Sequence, residues 1–451
     1  MIQKLSRRQM VGASASLPLA AALPAFAKPG RSRLHAGEMG AIPAALQSYI
    51  DRGDLAGIVT MTCQRGEIIQ VNALGWRDIE SRSPMQRDTL FRLASMTKPI
   101  TTVAALMLLE EGKIRLSDPI RKWIPELANR RVLRKADGPL DDTVPAHRDI
   151  TVEDLLTHRS GLALPGILVG PIQQAYDEAI GWARAWSMTT DTFLAAVSKL
   201  PLVYQPGERM QYGISTDVLG FLIERVDHKT LQAALKDRIF APLGMADTDF
   251  WVPPAKLSRL ASLYSFDEAK GGLQKAVDFT RPNIDRVPSI FFGASGLVSC
   301  APDYMVFARM LQEGGRSGRI RLLNPETVRL MRTNRLTAAQ RQFPFIGQPL
   351  FWKGMGFGLG VDVVMERTAS NISNGSVGSY GWPGLWGTWW ENDPVEDLTL
   401  IYMIQQSAPI TPNAGAVIAT GRGVKSREAL PLFERMTYAA VDLPPPNKQR
   451  S

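Results

Sequence analysis

The chain has 451 residues, 45% of them hydrophobic and 21% charged, which excludes a disordered or fibrous protein and leaves room for one large domain or two. Its formal charge of +9 is a mild excess scattered along the chain, with no basic stripe of the kind that tracks nucleic acid. The four histidines are dispersed and the two cysteines stand far apart, without H-E-x-x-H or Cys-pair spacing, so neither a metal nor any other cofactor is expected.

Residues 1–27, MIQKLSRRQMVGASASLPLAAALPAFA, have a basic head (Lys4, Arg7, Arg8), an Ala-rich apolar stretch and the small-x-small end Ala25-Phe26-Ala27. The pair Arg7-Arg8 resembles a twin-arginine signal, with Met10 and Val11 in place of the usual Phe and Leu. The expectation is export of the folded protein to a bacterial periplasm, with cleavage leaving a charge of +6 because the segment holds three basic and no acidic residues. Residues 28–40 read as a linker. No later window approaches the roughly 18 apolar residues of a membrane span.

Residues 41–51 have a helical pattern, and AGIVTMTCQ and EIIQVNALGW, joined by Arg65-Gly66, read as a β-hairpin. In RLASMTKPITTVAALMLLE, residues 92–110, the apolar positions are too many for a one-faced surface helix, so the helix is expected to be buried on most sides. Pro99 belongs in a first turn, which puts the helix start close to Ser95. Ser95 and Lys98 then share one face at its mouth. Burial favours the neutral form of an amine, and a neutral amine can take a proton from a hydroxyl, so Ser95 is a candidate nucleophile.

Further helices are expected at TVEDLLTH, capped by Thr151, at TTDTFLAAVSKL, and at STDVLGFLIERV, opened by Ser215. His158, at the end of the first of these, reads as a residue that closes a helix by bonding backbone rather than as a base. Residues 163–188 and 331–353 have no clear pattern, and loops of that length are usually functional or mobile. The former lies directly after the LLTHRSG helix. GMGFGLGVDVVM reads as one strand with close backbone packing, followed by strands at WGTWWENDP and DLTLIYMIQQ, a helix over residues 427–440 and a tail over 441–451. Cys63 and Cys300 fall in apolar segments, where an exported protein permits a disulfide but does not require one. This order of elements predicts an α/β fold of the α+β type. Both chain ends build an antiparallel sheet flanked by helices, and a mainly helical region, residues 100–250, is inserted.

The G-x-S-x-G elbow is absent, which disfavours a Ser-His-Asp hydrolase of that type. PGERMQYGISTDVLG instead puts Tyr212 in a turn-like loop before a helix, where a phenol can project into a cleft. In SYGWPGLWGTWW, Gly384 allows close backbone approach, and the N–H of Leu385 is free to point at an oxyanion.

From about residue 41 to 407 the chain resembles the serine β-lactamase and penicillin-binding-protein family, closest to its class C branch and to the family VIII carboxylesterases. LASMTKPIT resembles the S-x-x-K motif, ITVEDLLTHRSGL the helix that follows it, and GASGLVSCAPDYMVFARML the glycine-rich turn and helix before the last strands. Tyr212 stands in the place of the Y-x-N tyrosine, and Trp382-Pro383-Gly384 in the place of K-T-G. The resemblance implies a hydrolase domain over residues 41–440. It makes Ser95 the acylated nucleophile, gives Lys98 and Tyr212 the proton transfers, and forms the oxyanion hole from the N–H groups of Ser95 and Leu385. It also implies that Ile214, Trp382, Gly384 and Trp386 bind substrate.

Two positions depart from the family pattern: Ile214 replaces the Asn of Y-x-N and Trp382 the Lys of K-T-G. Losing an amide and a cation predicts preference for a small neutral acyl ester over an anionic lactam. Trp389 and Trp390 either extend that pocket or pack in the core. Two alternatives stay open, a β-lactamase or D-alanyl-D-alanine peptidase, and a non-catalytic acyl or peptidoglycan binder. The partner expected is a small-molecule ester.

Overall fold

All eight residues of β1 (Gly57–Gln64) are buried, so this strand must be covered on both faces. A computed structural model shows how. It describes residues 36–441 except 282, 347, 349–350, 369–372 and 408–421, and the expected signal, residues 1–27, lies outside the described residues. The chain turns at Arg65 and Gly66, both at positive φ, into β2 (Glu67–Asp78), then β3 (Ser83–Pro84). Five strands come from the far end of the chain: β4 (Met355–Phe357), β5 (Asp362–Val364), β6 (Tyr380–Pro383), β7 (Trp389–Asp393) and β8 (Leu398–Met403). The eight form one sheet in the order β4-β5-β6-β7-β8-β1-β2-β3, antiparallel throughout. The pairing of β1 with β8 joins the two ends of the chain, as the sequence predicts.

Side chains alternate across a strand, and here both faces find apolar cover. On one face, Ile58, Trp389, Leu400 and Tyr402 pack with Ile42 and Leu46 of α1 (Ala36–Asp51). On the other, Val59, Met61, Trp390 and Ile401 meet α2 (Thr97–Glu110), where Ile100, Val103, Ala104 and Leu106 are wholly buried. Trp389 and Trp390 are thus packing residues on opposite faces.

The helical region contains α3 (Val152–Leu156), α4 (Pro171–Ile180), α5 (Thr190–Ser198) and α6 (Ser215–Asp227). It is followed by α7 (Ala301–Gln312), which packs on β7 and β8, and by α8 (Ala429–Ala440), which packs on α1. Thr151 caps α3 in a capping box with Asp154.

Four expectations need correction. α1 begins at Ala36, inside the segment read as a linker. The α4 helix, started by Pro171 and bounded by Gly181, occupies part of the stretch read as patternless. Ser215 does not cap α6, because its hydroxyl bonds the Ser160 hydroxyl at 2.8 Å. GMGFGLGVDVVM is two strands, β4 and β5, because Gly360 turns at φ +73° where a Cβ would collide with Thr102 Oγ1. Cys63 and Cys300 are both buried and free. No helix among the described residues is long and apolar enough to cross a membrane.

Candidate active site

Ser95 sits in a single 3₁₀ turn, Ala94–Met96, that runs directly into α2. Ala94 holds φ at +44°, a conformation that costs about 1–3 kcal/mol for a residue with a Cβ. Surrounding bonds hold the turn in place: Leu93 N–H donates to Leu297 O at 2.9 Å, and Tyr304 OH donates to Met96 O at 2.9 Å. Lys98, one helical turn further, is 3% exposed. Its Nζ donates to Ser95 Oγ at 3.0 Å and to Ala294 O at 2.9 Å. Tyr212 arrives from the loop before α6 and donates its hydroxyl to Ser95 Oγ at 2.8 Å, with Lys98 Nζ 4.6 Å from its ring centroid. The three residues therefore meet at hydrogen-bond distance. Two polar groups converge on one hydroxyl oxygen, the arrangement that an activated nucleophile requires.

A second set of groups supports these three. Asp217 on α6 is buried and accepts the Ala294 N–H at 2.8 Å, and so helps to fix the residue whose carbonyl holds Lys98. Burial pushes its carboxyl up to about 6, against the pull of the Lys98 charge. Sequence reading missed Asp217. The available signal was an acidic residue in the first turn of an otherwise apolar helix. His158, wholly buried at φ +53°, packs its ring 4.8 Å from that of Tyr212 and faces Thr216 Oγ1 at 3.4 Å. Burial, then the Lys98 charge, holds the imidazole well below its usual range, so it stays neutral. Its carbonyl accepts the Gln211 N–H at 2.7 Å, next to Tyr212. The side chain itself makes no backbone bond among the described residues; it supports Tyr212 by packing.

Ser95, Lys98 and Tyr212 line a cavity of about 590 Å³. Its apolar wall includes Leu164, Ile167, Trp182, Phe266, Phe279 and Leu385. Gly384 makes the approach of this last residue possible: a Cβ there would stand 2.2 Å from Thr388 Oγ1 and 2.3 Å from Leu93 O, the carbonyl two residues before Ser95. The Gly384 N–H is occupied by Thr388 O at 2.7 Å, whereas the N–H groups of Ser95 and Leu385 donate to no protein acceptor among the described residues.

None of the four residues expected to bind substrate lines this wall: Gly384 only permits the approach of Leu385, and the other three are buried. Trp382 is 2% exposed and packs behind Tyr212, with ring centroids 5.8 Å apart. Ile214 is buried at the start of α6, and Trp386 is buried under Phe279, which takes the pocket position instead. In each case the apolar side chain gains more from core burial than from a solvated cleft.

The chain is similar to several known proteins. A family model described as Beta-lactamase matches residues 42–421. Protein Rv1367c of Mycobacterium tuberculosis is 44% identical over 403 residues, covering 89% of this chain and 98% of the relative. Esterase EstB of Burkholderia gladioli is 29% identical over 378 residues, covering 79% and 89% respectively. The unliganded structure of simvastatin synthase (LovD) from Aspergillus terreus superposes with a TM-score of 0.74 at 25% identity, covering 91% of this chain and all of that one.

Proposed function

This chain belongs to the beta-lactamase family, and from that premise we propose that it is a serine carboxylesterase that cleaves esters of small, neutral acyl groups through an acyl-enzyme on Ser95. The observation that carries the reading is the position of Ser95 Oγ, 3.0 Å from Lys98 Nζ and 2.8 Å from the Tyr212 hydroxyl, on the wall of an apolar cavity. In the first step Ser95 Oγ attacks the ester carbonyl carbon while its proton passes to the Lys98–Tyr212 pair. The carbonyl oxygen gains the negative charge and accepts the N–H groups of Ser95 and Leu385. Collapse breaks the bond to the alcohol oxygen, which leaves with a proton from the same pair. Water then adds to the acyl-enzyme, and the acid departs with Ser95 restored. Trp382 and Ile214 act indirectly, by replacing polar groups with packing around Tyr212; among the described residues Lys98 is the one basic side chain lining this cavity, and it is engaged with Ser95 Oγ and Ala294 O.

The same reading takes residues 41–440 as the hydrolase domain and residues 1–27 as a cleaved twin-arginine-like signal directing it to the periplasm. The test incubates the mature protein with p-nitrophenyl butanoate and, separately, nitrocefin. Ester turnover, a butanoyl adduct on the Ser95 peptide and negligible nitrocefin cleavage are expected. Efficient nitrocefin turnover would assign a β-lactamase instead, and ester turnover surviving Ser95→Ala would remove the nucleophile.

A further inference from the structure

A second cavity, of about 450 Å³, adjoins the first. Ile167, Tyr212 and Ile346 line both, so the Tyr212 ring stands between them. Its wall is mostly apolar, with Met210, Phe345 and Trp352, and its basic lining residue among those described is Arg209. The Arg209 guanidinium lies 3.5 Å from the ring centroid of Tyr204 and 4.2 Å from that of Phe343. Between two aromatic rings its plane is fixed and partly shielded from water. It makes no hydrogen bond or ion pair with any described residue. Asp137, the acidic residue on the same wall, is paired elsewhere, with Lys135 Nζ at 3.2 Å.

A fixed planar cation with free N–H edges, at the wall of an apolar cavity, matches a carboxylate, which a guanidinium binds through two parallel hydrogen bonds. One cation suits one negative charge better than a phosphate dianion. The side of the ester follows from Tyr212. In the mechanism proposed above this hydroxyl helps return the proton to the leaving alcohol, so the alcohol lies on the Tyr212 side of the scissile bond and the second cavity is its natural continuation. We propose that this cavity is the alcohol subsite and that the protein favours esters whose alcohol portion carries a carboxylate, bound by Arg209. The proposal rests on the esterase reading. It also separates two roles: the acyl group is neutral and apolar, and charge recognition lies on the other arm.

The experiment uses the mature protein and the butanoyl esters of two alcohols alike in shape, p-hydroxyphenylpropanoate, which carries a carboxylate, and p-propylphenol, which does not. The anionic ester should have a kcat/KM about tenfold or more above the neutral one, mainly through KM, and added salt should lower the ratio. Arg209→Met keeps the apolar stem between the rings and should abolish the preference, whereas Arg209→Lys should restore part of it. In calorimetry, free p-hydroxyphenylpropanoate should bind wild type and Ser95→Ala alike and Arg209→Met at least about tenfold more weakly. Equal kcat/KM for the two esters in wild type, or a ratio and an affinity untouched in both Arg209 variants, overturns the subsite while leaving the hydrolase standing. Arg209-dependent binding of the acid with no turnover of either ester does the reverse. A wild-type preference for p-nitrophenyl hydrogen adipate over p-nitrophenyl hexanoate would move the carboxylate to the acyl arm and refute the alcohol assignment.

Discussion

Tyr212 and Trp382 lie against each other, yet their substitutions should read out differently. Tyr212→Phe deletes one hydroxyl that donates to Ser95 Oγ at 2.8 Å. The fold should survive, and kcat on every ester should fall by roughly 100- to 10,000-fold, as for a lost general acid–base group. Trp382 has Tyr212 at 5.8 Å and Phe357 at 5.2 Å between ring centroids, and its indole N–H has no partner among the described residues. Trp382→Phe should therefore be nearly silent. Trp382→Ala should cost about 3–5 kcal/mol in urea unfolding and lower all esters together. A changed substrate ranking in Trp382→Ala would return this residue to direct substrate contact. The meeting of Ser95 with Lys98 and Tyr212 was legible because local spacing and turn chemistry carry it. The burial of Trp382 was not legible, because a sequence position says which strand a residue is on but not whether a neighbouring loop covers it.

The segment after α3 is the element that should set acyl size. Leu164, Ile167 and Trp182 from it line the Ser95 cavity, so Trp182→Ala should move the optimum along a series of p-nitrophenyl esters toward longer acyl chains while sparing the acetate. An unchanged profile would place the size limit elsewhere, on Phe266 or Phe279. The helix within this segment was readable in principle. Ile172, Tyr176 and Ile180 recur every four residues and are its buried face, between Pro171 and Gly181. The surrounding glycines and prolines obscured it. The hairpin and α2 were read correctly because their periodicities run over longer stretches without interruption, whereas the glycine run at 354–360 carries a turn that only the pressure of Thr102 against Gly360 reveals.

Across the whole molecule, buried carboxyls join α8 to β7 and to the loop between β5 and β6. Tyr438 OH donates to Glu391 Oε1 at 2.8 Å, and Asn374 N–H donates to Glu434 Oε1 at 3.2 Å. Burial, and then the charge of Glu434, holds Glu391 well above the usual range, and burial raises Glu434 from 4.5 to about 8. A raised carboxyl keeps in the native state a proton that the unfolded chain has released. Stability is therefore full below 4.5 and falls as pH rises toward about 8. Glu434→Gln should flatten that slope in urea midpoints measured across this window; an unchanged slope would leave Glu391 or other groups responsible. The pairing of β1 with β8 bears on the order of events during synthesis. Ser95 and Lys98 emerge from the ribosome early, but the sheet against which α2 packs lacks its central partner until residues 398–403 have been made. Contacts this distant in sequence form late. The nascent chain should thus carry an unarmed serine almost to its end, and a chain stopped after residue 393 should fail to take up a fluorophosphonate probe that labels the full-length protein.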